Sequence, residues 1–116
     1  MDTLNQFDIW FARLPMNAGS HVQGGTRPVI IISNTATNRT SPIVSVVPLT
    51  SKPRKHPFPT HVLLFADGLT TTSRALCEQL TTIDRSQLIR RVGTVSSGRD
   101  RAALNRAIAT QFGLAA

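Results

Sequence analysis

The chain has very few acidic residues. Its 116 residues include six Asp and Glu against thirteen Lys and Arg, which gives a formal net charge of +7, and Glu78 is the only glutamate. Most of the cations are arginine, whose planar fork suits phosphate better than the lysine ammonium does. Because no membrane signal accompanies this charge, it predicts a nucleic acid or an acidic protein as partner.

The chain also has a single cysteine, Cys77, so it cannot form an internal disulfide. Its Cys and His residues do not have zinc-ligand spacing, and we therefore expect no metal site and no cofactor. Its apolar runs are far shorter than a bilayer span, and no segment has the basic start and apolar middle of a signal peptide. We expect a cytoplasmic protein that does not associate with a membrane.

Short apolar segments separated by turn residues predict a mainly β fold with one C-terminal helix. The length fits a single domain over residues 1–116. The segments rich in β-branched and aromatic residues predict strands at 7–11, 27–33, 43–47, 60–65, 73–79 and 89–95, with a polar turn at 34–41 and a short helical turn near residue 87. Apolar residues at helical spacing from Leu104 to Phe112 predict the helix, with Asp100 near its start and Gly113 as its stop. Together these elements predict a small antiparallel β-barrel.

The stretch from Gln23 to Pro28 is the clearest candidate site. Gly24 and Gly25 free the backbone to approach a ligand, and Arg27 follows at the start of an apolar strand, where Pro28 would be the first strand residue. An arginine beside exposed N–H groups is suited to holding a phosphate. The alternative is an ordinary Gly-Gly turn with an arginine at its rim.

A second candidate site begins where the third strand ends. Pro48 is expected to stop that strand and leave Thr50 at an exposed end. Residues 52–59 carry three prolines, which exclude a helix, and four potential cations: Lys52, Arg54, Lys55 and His56. This loop is either a polyanion contact or a solvated hairpin tip, and the density of charge favours the polyanion.

Several segments, taken in order, resemble the MazF/PemK family of bacterial toxins. The matching text is QGGTRPVIIISN at 23–34, SPIVSVVPLTSK at 41–52, PFPTHVLL at 57–64, ALCEQLTTIDRSQL at 75–88 and FGL at 112–114, and FDIWFARLP at 7–15 resembles the first strand of the family. The resemblance covers nearly the whole chain. It implies an SH3-like barrel of the MazF/PemK or CcdB type and a homodimer. It also implies metal-independent cleavage of single-stranded RNA and an antitoxin whose flexible acidic tail covers the basic groove.

The resemblance also assigns roles to individual residues. The arginine of the glycine motif and the threonine after the third strand, here Arg27 and Thr50, would be the catalytic pair. The expected RNA contacts are Ser20, His21, Gln23, Gly24, Gly25, Ser51, Lys52, Arg54, Lys55, His56, Glu78 and Gln79. The chain departs from the family at Thr81, where an arginine is frequent, and in the stretch His21-Val22, which is one residue longer.

Some roles stay open at this stage. Glu78 would either accept hydrogen bonds from a base edge or form a buried pair with an arginine. The group that takes the proton of the 2′-OH is also open, because the family pattern requires no histidine. His61, at a strand start, is expected to be structural, and Cys77 and Trp10 to be core residues. Phe58 is the better candidate for stacking on a base.

Two other functions compete with an endoribonuclease. Some toxins of the same fold inhibit DNA gyrase by binding it, and a basic RNA-binding module would bind RNA without cutting it. The pair Arg27 and Thr50 argues against the gyrase inhibitor, which has no need of it. The RNA-binding module stays open and predicts salt-dependent RNA affinity without cleavage.

Overall fold

The sheet is mainly antiparallel, and a C-terminal helix packs on it. The computed structural model describes residues 3–16, 18–56 and 58–115. The strands are β1 (Asp8–Leu14), β2 (Gly25–Ile31), β3 (Ile43–Thr50), β4 (His61–Leu64), β5 (Ser73–Leu76), β6 (Thr81–Asp84) and β7 (Leu88–Thr94), and the helices are α1 (Thr35–Asn38) and α2 (Gly98–Phe112). Two 3₁₀ turns, Cys77–Gln79 and Arg85–Gln87, flank β6.

The strands lie in the order β4-β5-β3-β2-β1-β7, and β6 pairs with β3 beside this path. All pairs with an assigned register are antiparallel. The prediction of a mainly antiparallel β fold with a C-terminal helix is therefore confirmed. Among the pairings of the described residues none joins β4 to β7, so the sheet does not close into a complete ring.

Apolar residues cover both faces of the central strands. Ile9, Ile30 and Val47 belong to one buried cluster, whereas Trp10 and Val29 belong to the other. This division follows from the alternation of side chains along a strand. The predicted apolar second strand is thus buried on both faces, and the prediction of Trp10 in the core is confirmed.

The helix α2 covers the first of these clusters and has a defined residue at each end. The hydroxyl of Ser97 accepts a hydrogen bond from the Asp100 N–H at 3.3 Å, and Gly113 adopts a left-handed φ of 66° after the last turn. Leu104 and Ala107 are buried against the sheet. Neither helix among the described residues is long and apolar enough to cross a membrane.

Pro28 is not the first residue of its strand and Pro48 does not stop its strand, which corrects two predictions. Pro28 lies inside β2, and β3 continues through Pro48 to Thr50. The β2–β3 register has Val29 opposite Pro48 as its last pair, and from Leu49 onward β3 pairs with β5. Each proline thus lies where the strand changes or loses a partner, which is where a missing N–H costs least.

Other boundaries also differ from the sequence predictions. The predicted strand 73–79 ends at Leu76 and continues as a 3₁₀ turn, and residues 81–84 form a strand that was not predicted. The predicted polar turn at 34–41 contains α1, which the Asn34 side chain caps by accepting from the Ala36 N–H. At the start of β1, the buried carboxylate of Asp8 pairs with Arg91, whose Nε lies 3.2 Å from Oδ2.

A buried polar cluster beside α1, the Asn38 cluster, ties four segments together. The Asn38 amide nitrogen donates to the Leu4 and Ser33 carbonyls at 2.9 and 3.0 Å. Its oxygen accepts from the Ser33 hydroxyl at 2.6 Å, and that hydroxyl accepts from the Ser45 N–H at 3.1 Å. The Asn38 carbonyl accepts a hydrogen bond from Arg85. Every polar atom of the Asn38 side chain therefore has a partner.

Candidate active site

Arg27 and Thr50 lie on the neighbouring strands β2 and β3 and line the same two depressions. Val29 and Pro48 form the last β2–β3 pair. Arg27 precedes Val29 by two residues, and Thr50 follows Pro48 by two. Thr50 is the last residue of β3, so it lies at a strand end as the sequence predicted, but it is half-buried and paired with β5.

The side chain of Arg27 is partly buried and fixed at its base. Its Nε donates to the Gly24 carbonyl at 3.0 Å, which leaves the terminal nitrogens of the guanidinium to other partners. Burial lowers the pKa of Arg27 from its usual value, because removing the guanidinium from water disfavours the charged form. Arginine nevertheless remains protonated at neutral pH, so the site keeps a cation.

Arg27 and Thr50 line a cleft with a volume of about 510 Å³. Of the other predicted site residues, the cleft is also lined by Ser20, His21, Gln23, Gly24, Lys52, Arg54, Glu78 and Gln79. Four predicted contacts lie outside its lining, Gly25, Ser51, Lys55 and His56. Gly25 is the first residue of β2, and Lys55 and His56 are exposed in the basic loop. Ser51 lines a neighbouring depression that shares Arg27 and Thr50 with the cleft.

The glycine loop that forms one wall of the cleft is closely packed against the preceding segment. A Cβ atom on Gly24 would lie 2.4 Å from the Pro15 carbonyl oxygen, so any larger residue would push the loop away. Gly25 has a φ of 79°, in the left-handed region that glycine tolerates. The Ser20 hydroxyl accepts from the Val22 N–H at 3.0 Å and shapes the turn before them.

Gln79 holds this loop from across the cleft. Its side-chain oxygen accepts from the Gln23 N–H at 2.8 Å, and its nitrogen donates to the His21 carbonyl at 3.3 Å. The sequence predicted Gln79 as an RNA contact on a strand. In the structure it lies at the end of a 3₁₀ turn, and both polar atoms of its side chain bind the loop backbone.

Glu78 is engaged on both carboxylate oxygens. One oxygen accepts from the Thr60 hydroxyl at 3.0 Å, and the other lies 2.8 Å from His61 Nε2. The Phe58 N–H donates to His61 Nδ1 at 3.3 Å, which leaves the ring proton on Nε2 and directs it to Glu78. The predicted arginine partner is therefore wrong, because the partner is the buried His61, whose expected structural role is confirmed.

In the basic loop, Arg54 stacks on the ring of Phe58. The Arg54 guanidinium lies 4.3 Å from the centre of the Phe58 ring, and Arg54 Nε donates to the His56 carbonyl at 3.1 Å. Phe58 is 46% exposed, so one side of its ring is covered and part of it faces solvent. Pro57, in the middle of this loop, lies outside the described residues.

One cation of the cleft was not expected from the sequence. Arg74 lies on β5 directly opposite Thr50 in the β3–β5 register, and it lines the same cleft. Its Nε is buried and, within the described residues, has no hydrogen-bond partner. The only sequence signal was an arginine inside a strand of small and apolar residues.

The cleft is thus strongly electropositive. Four cations line it, Arg27, Lys52, Arg54 and Arg74, and its only carboxylate among the described residues is Glu78. No group of three or more His, Cys, Asp or Glu side chains in the described part of the chain is arranged to hold a metal ion. Cys77, a predicted core residue, is buried behind the cleft, where desolvation and the charge of Glu78 raise the pKa of its thiol to about 12.

Comparisons with known proteins, by sequence and by structure, point to one family. Residues 5–112 match the family described as the PemK-like, MazF-like toxins of type II toxin–antitoxin systems. The chain is 42% identical over 83 residues to endoribonuclease EndoA of Bacillus subtilis, covering 70% of this chain and 71% of EndoA. It is 37% identical over 109 residues to endoribonuclease MazF of Staphylococcus saprophyticus, covering 92% of this chain and 89% of that protein.

A solved structure shares the fold along the full length. The chain superimposes with a TM-score of 0.75 on a mycobacterial endoribonuclease in complex with its cognate antitoxin, with 26% identity and coverage of 100% of this chain and 99% of that chain. The family match spans nearly the whole sequence, and the relatives are covered along most of their length. The chain therefore belongs to the PemK/MazF family of type II toxin–antitoxin toxins.

Proposed function

We propose that this toxin is an endoribonuclease that cuts single-stranded messenger RNA in the cytoplasm without a metal ion and so arrests growth. The observation that carries the proposal is that Arg27 and Thr50, on adjacent strands, line one electropositive cleft. Two relatives that cover most of this chain, EndoA and MazF, are endoribonucleases by name, which supports the same activity.

RNA supplies the nucleophile of this reaction. The 2′-oxygen attacks the adjacent phosphorus, the bond from phosphorus to the 5′-oxygen breaks, and the products are a 2′,3′-cyclic phosphate and a 5′-OH. The 2′-OH loses one proton and the 5′-oxygen gains one, so the reaction needs no net proton. The protein has to align these groups and stabilise the charge that develops on the phosphoryl oxygens.

Arg27 and Thr50 are suited to that task. Arg27 keeps its terminal nitrogens available while Gly24 fixes its Nε, so the fork can bind two phosphoryl oxygens. The hydroxyl of Thr50 already accepts the Lys52 N–H at 3.2 Å, which leaves its own proton free to be donated to the same phosphoryl group. Both groups lie on strands, which keeps them in place before RNA arrives.

The charge of the cleft also suits an acidic protein partner. A mycobacterial relative has been solved with its cognate antitoxin. We propose that the antitoxin of this toxin binds with a flexible acidic tail along the cleft and thereby competes with RNA. We further propose that the toxin acts as a homodimer.

The deciding experiment incubates the purified protein with a long single-stranded RNA in EDTA and maps the ends. Discrete cuts with 5′-OH ends are expected, and Arg27→Ala should reduce their rate by on the order of a hundredfold or more. Arg99→Ala is the matched control, because the Arg99 side chain is 91% exposed and lies outside the cleft. RNA that stays bound and intact would contradict the enzyme and favour a binding module.

A further inference from the structure

We infer that Arg74 is a second catalytic cation, which binds the same phosphoryl group as Arg27 from the opposite side of Thr50. This inference rests on the proposed ribonuclease function. It adds a residue that neither the glycine motif nor the segment around Thr50 contains.

The first step is the arrangement of three residues across the sheet. Strand β3 lies between β2 and β5, and Thr50 is its last residue. Arg74 is opposite Thr50 in the β3–β5 register, and Arg27, on β2, lines the same cleft as both. We call these three residues the row of Arg27, Thr50 and Arg74, because the strand that carries Thr50 lies between the strands that carry the two arginines.

The second step is that Arg74 has no partner of its own. Within the described residues it makes no ion pair, and its buried Nε has no hydrogen-bond acceptor. Its other cross-strand neighbour, on β4, is the exposed Leu63, which offers no charge. A buried guanidinium nitrogen without an acceptor costs stability, so its presence calls for a ligand that supplies one.

The third step is that the cleft cannot neutralise Arg74 from within. Glu78 is the only carboxylate in the lining of the described cleft, and Thr60 and His61 occupy its two oxygens. An anion that enters the cleft can supply both the acceptor and the countercharge that the cleft lacks. In RNA that anion is a phosphate, and the row of side chains directs it to the group bound at Thr50.

The chemical consequence is a clamp of two arginines. As the 2′-oxygen adds to phosphorus, negative charge grows on the non-bridging oxygens, and Arg27 and Arg74 would each stabilise it from one side of the Thr50 hydroxyl. An interaction that strengthens in the transition state acts on kcat, whereas one that is equally strong in the ground state acts on KM. This difference separates a clamp on the scissile group from a contact with a neighbouring phosphate.

The test compares Arg74→Leu, Arg74→Lys and the exposed control Arg99→Leu on a short RNA that contains a mapped cleavage site. We expect Arg74→Leu to lower kcat by roughly tenfold to a hundredfold while KM changes by less than about threefold. Arg74→Lys should recover part of the loss, because it restores the charge without the fork. Arg99→Leu should behave as the unaltered protein.

Thermal unfolding of the same proteins distinguishes a folding defect from a lost contact. Arg74→Leu removes an unpartnered buried nitrogen, so its Tm is expected to equal or exceed that of the unaltered protein. Unchanged kcat in Arg74→Leu, or a rise in KM alone, would overturn this inference while leaving the ribonuclease in place. If the unaltered protein cuts no RNA, the proposed function fails as well.

Discussion

The cleft and the Asn38 cluster differ in how completely their buried polar groups are hydrogen-bonded within the protein. Around Asn38 every side-chain polar atom has a protein partner. In the cleft, Arg74 Nε is buried without one, and four cations share a lining with a single, fully engaged carboxylate. Polar groups that satisfy one another stabilise the fold, whereas polar groups left unsatisfied are available to a ligand. The unsatisfied groups of the cleft therefore lower the folding stability, whereas the hydrogen-bonded groups of the Asn38 cluster do not.

The largest expected effect removes one hydroxyl from the cleft. Thr50→Val keeps the shape of the side chain but loses the hydrogen bond to the phosphoryl group, and we expect the cleavage rate to fall by about a hundredfold. The measurement is single-turnover cleavage of a mapped RNA site, with Thr50→Ser as the control that retains the hydroxyl. A rate for Thr50→Val within a few-fold of the unaltered protein would remove Thr50 from the catalytic pair.

The converse change in the Asn38 cluster should affect stability and leave cleavage intact. Asn38→Leu strands the buried carbonyls of Leu4 and Ser33, and each unsatisfied group costs on the order of 1–3 kcal/mol. We expect the free energy of unfolding, measured in urea, to fall by about 2–4 kcal/mol. The rate per folded molecule should be unchanged at low temperature. A loss of rate without a loss of stability would break the distinction between the two regions.

A smaller effect is expected from Gln79, a cleft residue whose side-chain polar atoms, unlike Arg74 Nε, have protein partners. Gln79→Leu releases the loop at His21 and Gln23, and the loss of about 1 kcal/mol of hydrogen bonding should raise KM several-fold. Gln87 is the matched control, since its amide oxygen accepts from the Asp84 N–H at 2.9 Å and its nitrogen donates to the Arg13 carbonyl at 2.8 Å, outside the cleft. Gln87→Leu should leave KM unaltered, and an equal rise in both variants would show that the effect is general loosening.

The smallest effect concerns Cys77, which lies directly before the cleft residues Glu78 and Gln79. With a thiol pKa of about 12, almost no thiolate is present at pH 8, so alkylation by iodoacetamide should be negligible until the protein unfolds. Because burial raises this pKa, the folded protein favours the neutral thiol. The resulting contribution of Cys77 to the free energy of unfolding is fully present below about pH 9 and is lost as the pH rises toward 12. Rapid alkylation of the folded protein would contradict this prediction and show that the segment around Cys77 opens to solvent.

The general architecture follows from local sequence patterns. The run Val29-Ile30-Ile31 predicts a buried strand and is one, and Gly113 ends the final helix as its position predicts. The strand boundaries at Pro28 and Pro48 were predicted wrongly. The missing N–H of a proline destabilises a strand only where a neighbouring strand would accept it, and the sequence does not show where the pairing of neighbouring strands ends. β6 escaped prediction because Thr81 and Thr82 are exposed and have no apolar alternation.

The candidate site was predictable only where a motif carries it. Arg27 and Thr50 follow from two short segments, and the structure brings them into one cleft. The partners of Glu78 and Gln79 lie 17 to 58 residues away along the chain, so their roles depend on the register of distant strands. Arg74 belongs to the same class, since only the pairing of β3 with β5 reveals its neighbour.

The row of Arg27, Thr50 and Arg74 bears on how the toxin is made. The three residues lie on strands that are separated along the chain, and α2, which covers one of the core clusters, is the last element. A ribosome that has released only the first two strands has made no cleft. The growing chain therefore carries no complete cleft beside the message that encodes it until at least Gln79, the last residue of the described lining, has been added.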